Sequence, residues 1–169
     1  SSGCSASKSG DKAGQPLIAD PYAALASSIP TSNCTSAQGG PVTSWSGSVT
    51  LGPVQQYCNG INLTGSTTLT PAVGGSIIVI RDGPLNIPGG MMLTGGSEGV
   101  TIIFAGAAGL GYKPTYTLTG GGTINVSSPR SGVWSGVAIY TDPSLTDASG
   151  TVDYAAAGNS PTWDISGLI

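Results

Sequence analysis

An approximate internal repeat constrains this chain more than any other feature. An apolar residue, a small polar one and a second apolar one run into a glycine, and a short alternating strand ending in Thr or Asn follows. Ile61-Asn62-Leu63-Thr64-Gly65 leads into Thr68-Leu69-Thr70, Leu85-Asn86-Ile87-Pro88-Gly89 into Met92-Leu93-Thr94, and Tyr116-Thr117-Leu118-Thr119-Gly120 into Thr123-Ile124-Asn125. Trp163-Asp164-Ile165-Ser166-Gly167 reads as the start of a further copy. Glycine-to-glycine spacings are 24 (65 to 89), 31 (89 to 120) and 47 (120 to 167) residues. Such spacings suit one unit per coil of a β-solenoid with loops of variable length. An architecture of that kind points to a stalk, adhesin or surface module rather than a compact metabolic enzyme.

A second strand follows each repeat start. Ser76-Ile77-Ile78-Val79-Ile80, Val100-Thr101-Ile102-Ile103-Phe104 and Gly136-Val137-Ala138-Ile139-Tyr140 are β-branched or aromatic runs bounded by Gly, Pro and Ser, too short and too Gly-flanked for buried helices. Glycines 74–75, 89–90, 95–96 and 120–122 supply positive φ at the corners. The expected fold is all-β: a right-handed parallel β-helix of three or four coils with a short N-terminal capping helix. One of each adjacent apolar pair, Ile78 or Val79 and Ile102 or Ile103, points inward, and the other faces outward at little energetic consequence. A Gly-rich antiparallel sandwich is the structural rival.

The N-terminal third is organised differently. Asp20-Pro21-Tyr22-Ala23-Ala24-Leu25-Ala26-Ser27-Ser28 predicts a two-turn helix with Asp20 as N-cap and Pro21 at its first position. Tyr22, Leu25 and Ile29 would cover the open end of the first coil, and Pro30 would end the helix. The chain therefore divides into a flexible segment and cap, 1–44, and a solenoid, 45–169, with the first strand beginning near Trp45 or Ser48. Because the sequence opens in Ser and Gly and stops inside a repeat, it reads as cut from something larger. Its last coil would leave a free edge through which copies self-associate.

Composition and charge exclude several function classes. With 28 Gly, 8% charged residues and a mean hydropathy of +0.18, the chain lacks the high charge and low apolar content of a disordered one and fits a low-charge extracellular β-protein. No apolar run approaches a membrane span of roughly 20 residues, so no membrane contact is expected within these residues. The five basic residues, Lys8, Lys12, Arg81, Lys113 and Arg130, form no stripe for nucleic acid. Cys4, Cys34 and Cys58 match no zinc spacing, and the chain has no histidine, so no metal or other cofactor is expected. A disulfide suits the exported composition; Cys34 with Cys58 is favoured, stapling the incoming segment to the first coil and leaving Cys4 free or paired elsewhere. Three reduced thiols are the alternative.

Several runs together resemble a known family. They are Asp20-Pro21-Tyr22-Ala23-Ala24-Leu25, Cys34, Tyr57-Cys58-Asn59-Gly60-Ile61-Asn62-Leu63-Thr64-Gly65, Thr68-Leu69-Thr70-Pro71, the stretch from Ile77 to Ile87 containing Arg81-Asp82-Gly83-Pro84, Gly99 to Phe104, and Ser128-Pro129-Arg130-Ser131-Gly132 before Gly136 to Tyr140. Over roughly residues 20–142 the chain is similar to the extracytoplasmic region of bacterial TadE/TadG-like Flp pilus-assembly proteins. One departure is Pro71-Ala72-Val73-Gly74-Gly75-Ser76 where that pattern carries a Pro-Gly-x-Tyr turn. The resemblance implies a non-enzymatic role in pilus assembly or surface attachment, with other envelope proteins as partners and a membrane anchor outside these residues. It brings no catalytic residues.

Catalysis tested residue by residue gives the same reading. Without histidine, no Ser-His-Asp or Cys-His constellation exists. Asp82 and Glu98 could approach across adjacent coils as a glycosidase pair, but Asp82-Gly83-Pro84 and Gly95-Gly96-Ser97-Glu98-Gly99 read first as turns. Asp142, Asp147 and Asp153 match no calcium loop, and Asp142-Pro143-Ser144 reads as an Asx turn. Tyr112, Tyr116, Trp134 and Tyr140 are the candidates for a glycan-stacking surface, with packing as the plainer role for each. Alternating Thr in Thr68-Leu69-Thr70 and Thr115-Tyr116-Thr117-Leu118-Thr119 would order water, a likeness to ice-binding β-solenoids, or simply solvate a strand face. Sequons at Asn33, Asn62 and Asn125 matter only in a eukaryotic secreted protein.

Overall fold

The computed structural model describes residues 22–34, 41–106, 115–119, 121–145, 153–157 and 161–169. Apart from one 3₁₀ turn its regular structure is all β. The strands are β1 (Thr43–Thr50), β2 (Val54–Cys58), β3 (Ile61–Thr70), β4 (Ser76–Arg81), β5 (Leu85–Ile87), β6 (Met92–Thr94), β7 (Val100–Ala105), β8 (Thr115–Thr119), β9 (Thr123–Ser127), β10 (Ile139–Thr141), β11 (Asp153–Ala157) and β12 (Thr162–Ser166). They form two sheets. One runs β11-β8-β5-β3-β6-β9-β12 with β1 on the other side of β3, and the second runs β10-β7-β4-β2. Every strand pair is parallel. Parallel neighbours need a crossover between them, and here each crossover is the visit to the other sheet. The arrangement is β-solenoid-like and excludes the antiparallel sandwich.

Register follows the repeat for its first three copies. Ile61 pairs with Leu85 and Leu85 with Tyr116, so the three starts lie side by side. The fourth copy was misread. Trp163 pairs with Ile124, in the second half of the unit, and the true counterpart of Tyr116 is Tyr154. The Ala-rich β11, Asp153-Tyr154-Ala155-Ala156-Ala157, lacks the Leu or Ile that marks the other starts. A second shift of two residues sets Thr67, not Leu69, beside Leu93. Thr67 is consequently buried, and its hydroxyl donates to the Gly65 carbonyl at 3.1 Å.

The interior holds Ile78, Ile80, Ile102, Phe104 and Ile139 from the second sheet and Ile61, Leu63, Leu69, Leu93, Ile124 and Val126 from the first. At its N-terminal end Trp45 meets Tyr57 edge-on, ring centroids 5.1 Å apart. Burial raises the Tyr57 phenol above its ordinary value, and its hydroxyl donates to Gln55 Oε1 at 2.6 Å. Among the described residues this aromatic pair, not a helix, sits at that end of the core.

The helical segment goes elsewhere. Residues Ala23–Ser28 form a 3₁₀ helix; the expected caps Asp20 and Pro21 lie outside the described residues. Ile29 is extended, φ −63 and ψ 125, as a residue before proline must be, so Pro30 does end the turn. Leu25 packs with Val79, Ile103, Ala105, Trp134 and Val137, on the outer face of the second sheet. The outward members of the adjacent pairs are Val79 and Ile103, and they are 0% exposed, where the sequence alone left open which member faces outward and expected that one to matter little.

Candidate functional site

The segment 22–34 forms a strap across the second sheet, and two hydrogen bonds and a disulfide hold it there. Arg81 ends β4 and is 7% exposed. Its Nε donates to Gln56 Oε1 at 2.7 Å and a terminal guanidinium nitrogen donates to the Pro30 carbonyl. Gln56 Nε2 donates to the Thr31 carbonyl at 2.7 Å. Burial lowers the Arg81 pKa, while the charges of Asp82 and Asp142 work against that shift; a guanidinium starting so high stays charged. Cys34 and Cys58 form a disulfide with Cα atoms 5.7 Å apart, joining the strap to the strand beside Arg81, with which Cys58 is in register. The staple anticipated from composition is thus present; Cys4 lies outside the described residues.

A close backbone crossing supports this corner. A Cβ on Gly83 would fall 1.9 Å from the Asn59 carbonyl carbon, and Asn59 itself adopts φ 67. The Asn59 amide donates to the Arg81 carbonyl at 2.7 Å. Only glycine fits where the two turns touch.

Beside the strap, a groove of about 370 Å³ is lined by Pro30, Pro53, Val54, Ile77, Val133 and Trp134 among others. It adjoins a smaller polar depression, about 180 Å³, holding Ser97, Glu98, Arg130 and Ser131. Glu98 Oε2 accepts the Gly74 amide at 2.9 Å, so this carboxylate braces the turn of the preceding coil.

Asp82 and Glu98 are not placed as a glycosidase pair. Ser76 pairs with Val100 and Arg81 with Ala105, which sets Glu98 before the start of these strands and Asp82 beyond their end. Six residues of strand separate them, roughly 20 Å at 3.3 Å per residue, against about 5–9.5 Å for a glycosidase pair. The expected approach across adjacent coils does not occur, because the two lie at opposite ends of the second sheet's strands. Asp142 accepts the Ser144 amide at 2.9 Å, the Asx turn expected; Asp147 lies outside the described residues, as does the side chain of Asp153. Among the described residues no group of three or more metal-ligating side chains is found, and no helix is long and apolar enough to cross a membrane.

Of the four aromatic candidates, the structure describes the side chains of Trp134 and Tyr140. Trp134 is 3% exposed within the packing under the strap and meets Tyr140 edge-on at 5.1 Å, leaving no indole face for a sugar ring. Tyr112 and the side chain of Tyr116 lie outside the described residues. Sequence reasoning missed the Arg81–Gln56–strap network, whose only sequence trace was a single arginine closing an apolar strand.

One outward column of the first sheet is regular, though only two of its members are threonine. Ser48, Thr68, Thr94, Asn125 and Asp164 are successive register partners and stand on the outer face, all exposed but the half-buried Thr94. Deeper along the first sheet, Asn86 Nδ2 donates to Asn62 Oδ1 at 2.6 Å, an amide ladder between adjacent coils. Sequon Asn62 is thereby engaged, whereas Asn33 and Asn125 are exposed.

No family model matches the chain. Neither a curated protein nor a solved structure does so.

Proposed function

We propose that this chain is a right-handed parallel β-helix serving as a non-enzymatic structural or adhesive module of a bacterial envelope, of the TadE/TadG-like pilus-assembly kind. The observation that supports it most is the disulfide-held strap over in-register parallel coils, a device that stiffens a rod and suits an oxidising compartment outside the cytoplasm. Pilus-assembly and other envelope proteins are its partners, surface glycans its other contact, and a neighbouring segment its membrane anchor. Deleting the gene in a bacterium that carries it, beside pilus ATPase and prepilin genes, tests the reading. Loss of pili or of surface attachment is expected, restored by a copy carrying Asp82→Asn and Glu98→Gln. Cleavage of pectin, alginate or chitin by the purified protein, abolished by those two substitutions, would replace it with a polysaccharide-active enzyme.

One observation favours a second reading. The outward column from Ser48 to Asp164 repeats at the interstrand spacing of about 4.8 Å and carries short polar side chains without aromatics, a surface suited to ordering water, as on ice. Measurable thermal hysteresis would support that reading, and its absence at high protein concentration would remove it; binding on a glycan array would favour a carbohydrate-binding module instead.

A further inference from the structure

We propose that two copies of this chain pair antiparallel along the free edge of β1, N-terminal end to N-terminal end, as a two-fold dimer. β1 pairs with β3 on one side, and among the described residues no strand pairs with its other side. Which residues face that edge follows from the bonds made inward. The Thr43 and Leu51 amides donate to the Gly60 and Thr70 carbonyls, and the Trp45 carbonyl accepts the Thr64 hydroxyl. A strand turns its backbone groups alternately to its two sides. Ser44, Ser46, Ser48 and Thr50 therefore direct their N–H and C=O groups to the free edge, and all four are exposed.

Natural edge strands are blunted by lysine, proline or short length. β1 is eight residues long, Thr-Ser-Trp-Ser-Gly-Ser-Val-Thr, with neither. Its irregularities are a register shift between Trp45 and Gly47 and the left-handed backbone of Gly47, φ 67.

Charge selects the partner. Residues 21–80 contain no Asp, Glu, Lys or Arg, whereas residues 81–169 hold three basic and six acidic side chains, the whole net charge of −3. Among the described residues β1 to β3 carry no charged side chain. The opposite end presents Asp164 on β12, exposed, and two such ends would repel within a Debye length of about 10 Å at 0.1 M salt. Two neutral edges meet without that penalty, and a two-fold contact is self-complementary and closes at two copies. Association thus shifts from the C-terminal end, where the sequence pattern put it, to the N-terminal one.

Sedimentation velocity on the whole chain tests this, with Ser44→Pro and Ser48→Lys as variants. Proline is tolerated on an edge strand whose N–H faces away from the sheet, so Ser44→Pro should keep the circular dichroism and melting temperature of the parent while weakening dimerisation tenfold or more; Ser48→Lys should do the same by charge. The parent should stop at two copies, with little change between 50 and 500 mM salt. A monomer at the highest attainable concentration would overturn the proposal. So would assemblies growing past two copies, as head-to-tail stacking requires, or a dimer that survives both substitutions.

Discussion

Replacing Ile103 by Ala measures whether the strap lies where the structure places it. Ile102 and Ile103 are adjacent on β7, one turned into the core and one outward, yet they are 1% and 0% exposed. A solvent-facing strand position would change stability by no more than about 0.5 kcal/mol. Under the strap, Ile103→Ala loses three buried carbons, about 2.4 kcal/mol of transfer free energy at 0.8 per methylene. The space left between Leu25, Val79 and Trp134 adds to that, for a total of about 2–5 kcal/mol. Ile102→Ala should cost a similar amount. Urea unfolding with constant m-value reads both. The experiment repeated in Cys34→Ser gives the coupling: with the disulfide removed, the strap loses its covalent tie and keeps its hydrogen bonds to Arg81 and Gln56 and its apolar contact, and the cost of Ile103→Ala should shrink while that of Ile102→Ala does not. If Ile103→Ala is nearly silent in the intact protein while Ile102→Ala is severe, the strap does not cover this sheet.

Two further outcomes follow from single residues. Gly83→Ala should destabilise strongly or abolish folding, since the added carbon would sit 1.9 Å from the Asn59 backbone; a soluble variant with parental melting would mean the two turns are not in contact. For Tyr57, burial holds the folded phenol above the ordinary 10.0, so the unfolded chain ionises first and stability falls as pH rises past that value. Tyr57→Phe should flatten this alkaline decline, and an unchanged slope would show that another group causes it.

Strand order and parallel pairing were legible because three copies of the repeat share an apolar-polar-apolar start at Ile61, Leu85 and Tyr116, and stacking such starts buries the apolar face of each. β11 was illegible for the converse reason: alanines carry too little apolar signal to mark a period. β2, Val54-Gln55-Gln56-Tyr57-Cys58, was missed because its glutamines break the apolar run. Those glutamines serve the strap and the core end through hydrogen bonds to Thr31, Arg81 and Tyr57, which no local pattern encodes. The destination of Leu25 was equally nonlocal. An apolar helix face announces burial but not its partner, and the outward apolar residues Val79 and Ile103 were the overlooked complement. For the candidate site, the cysteine pair and the Asx turn at Asp142 could be read from spacing and local chemistry, while the separation of Asp82 from Glu98 depended on strand direction.

Pulsed electron–electron distance measurement between spin labels at Ser48 and Asp164, with the labelled chain diluted into unlabelled chain, tests the stacked-coil architecture most directly. These residues are joined by four successive register steps through Thr68, Thr94 and Asn125, which at about 4.8 Å each place their backbones about 19 Å apart. A narrow distribution centred near that separation, allowing for the label linkers, is the predicted result; a broad distribution or a centre beyond about 35 Å, nearly twice the stacked spacing, would contradict the parallel register on which the whole reading rests.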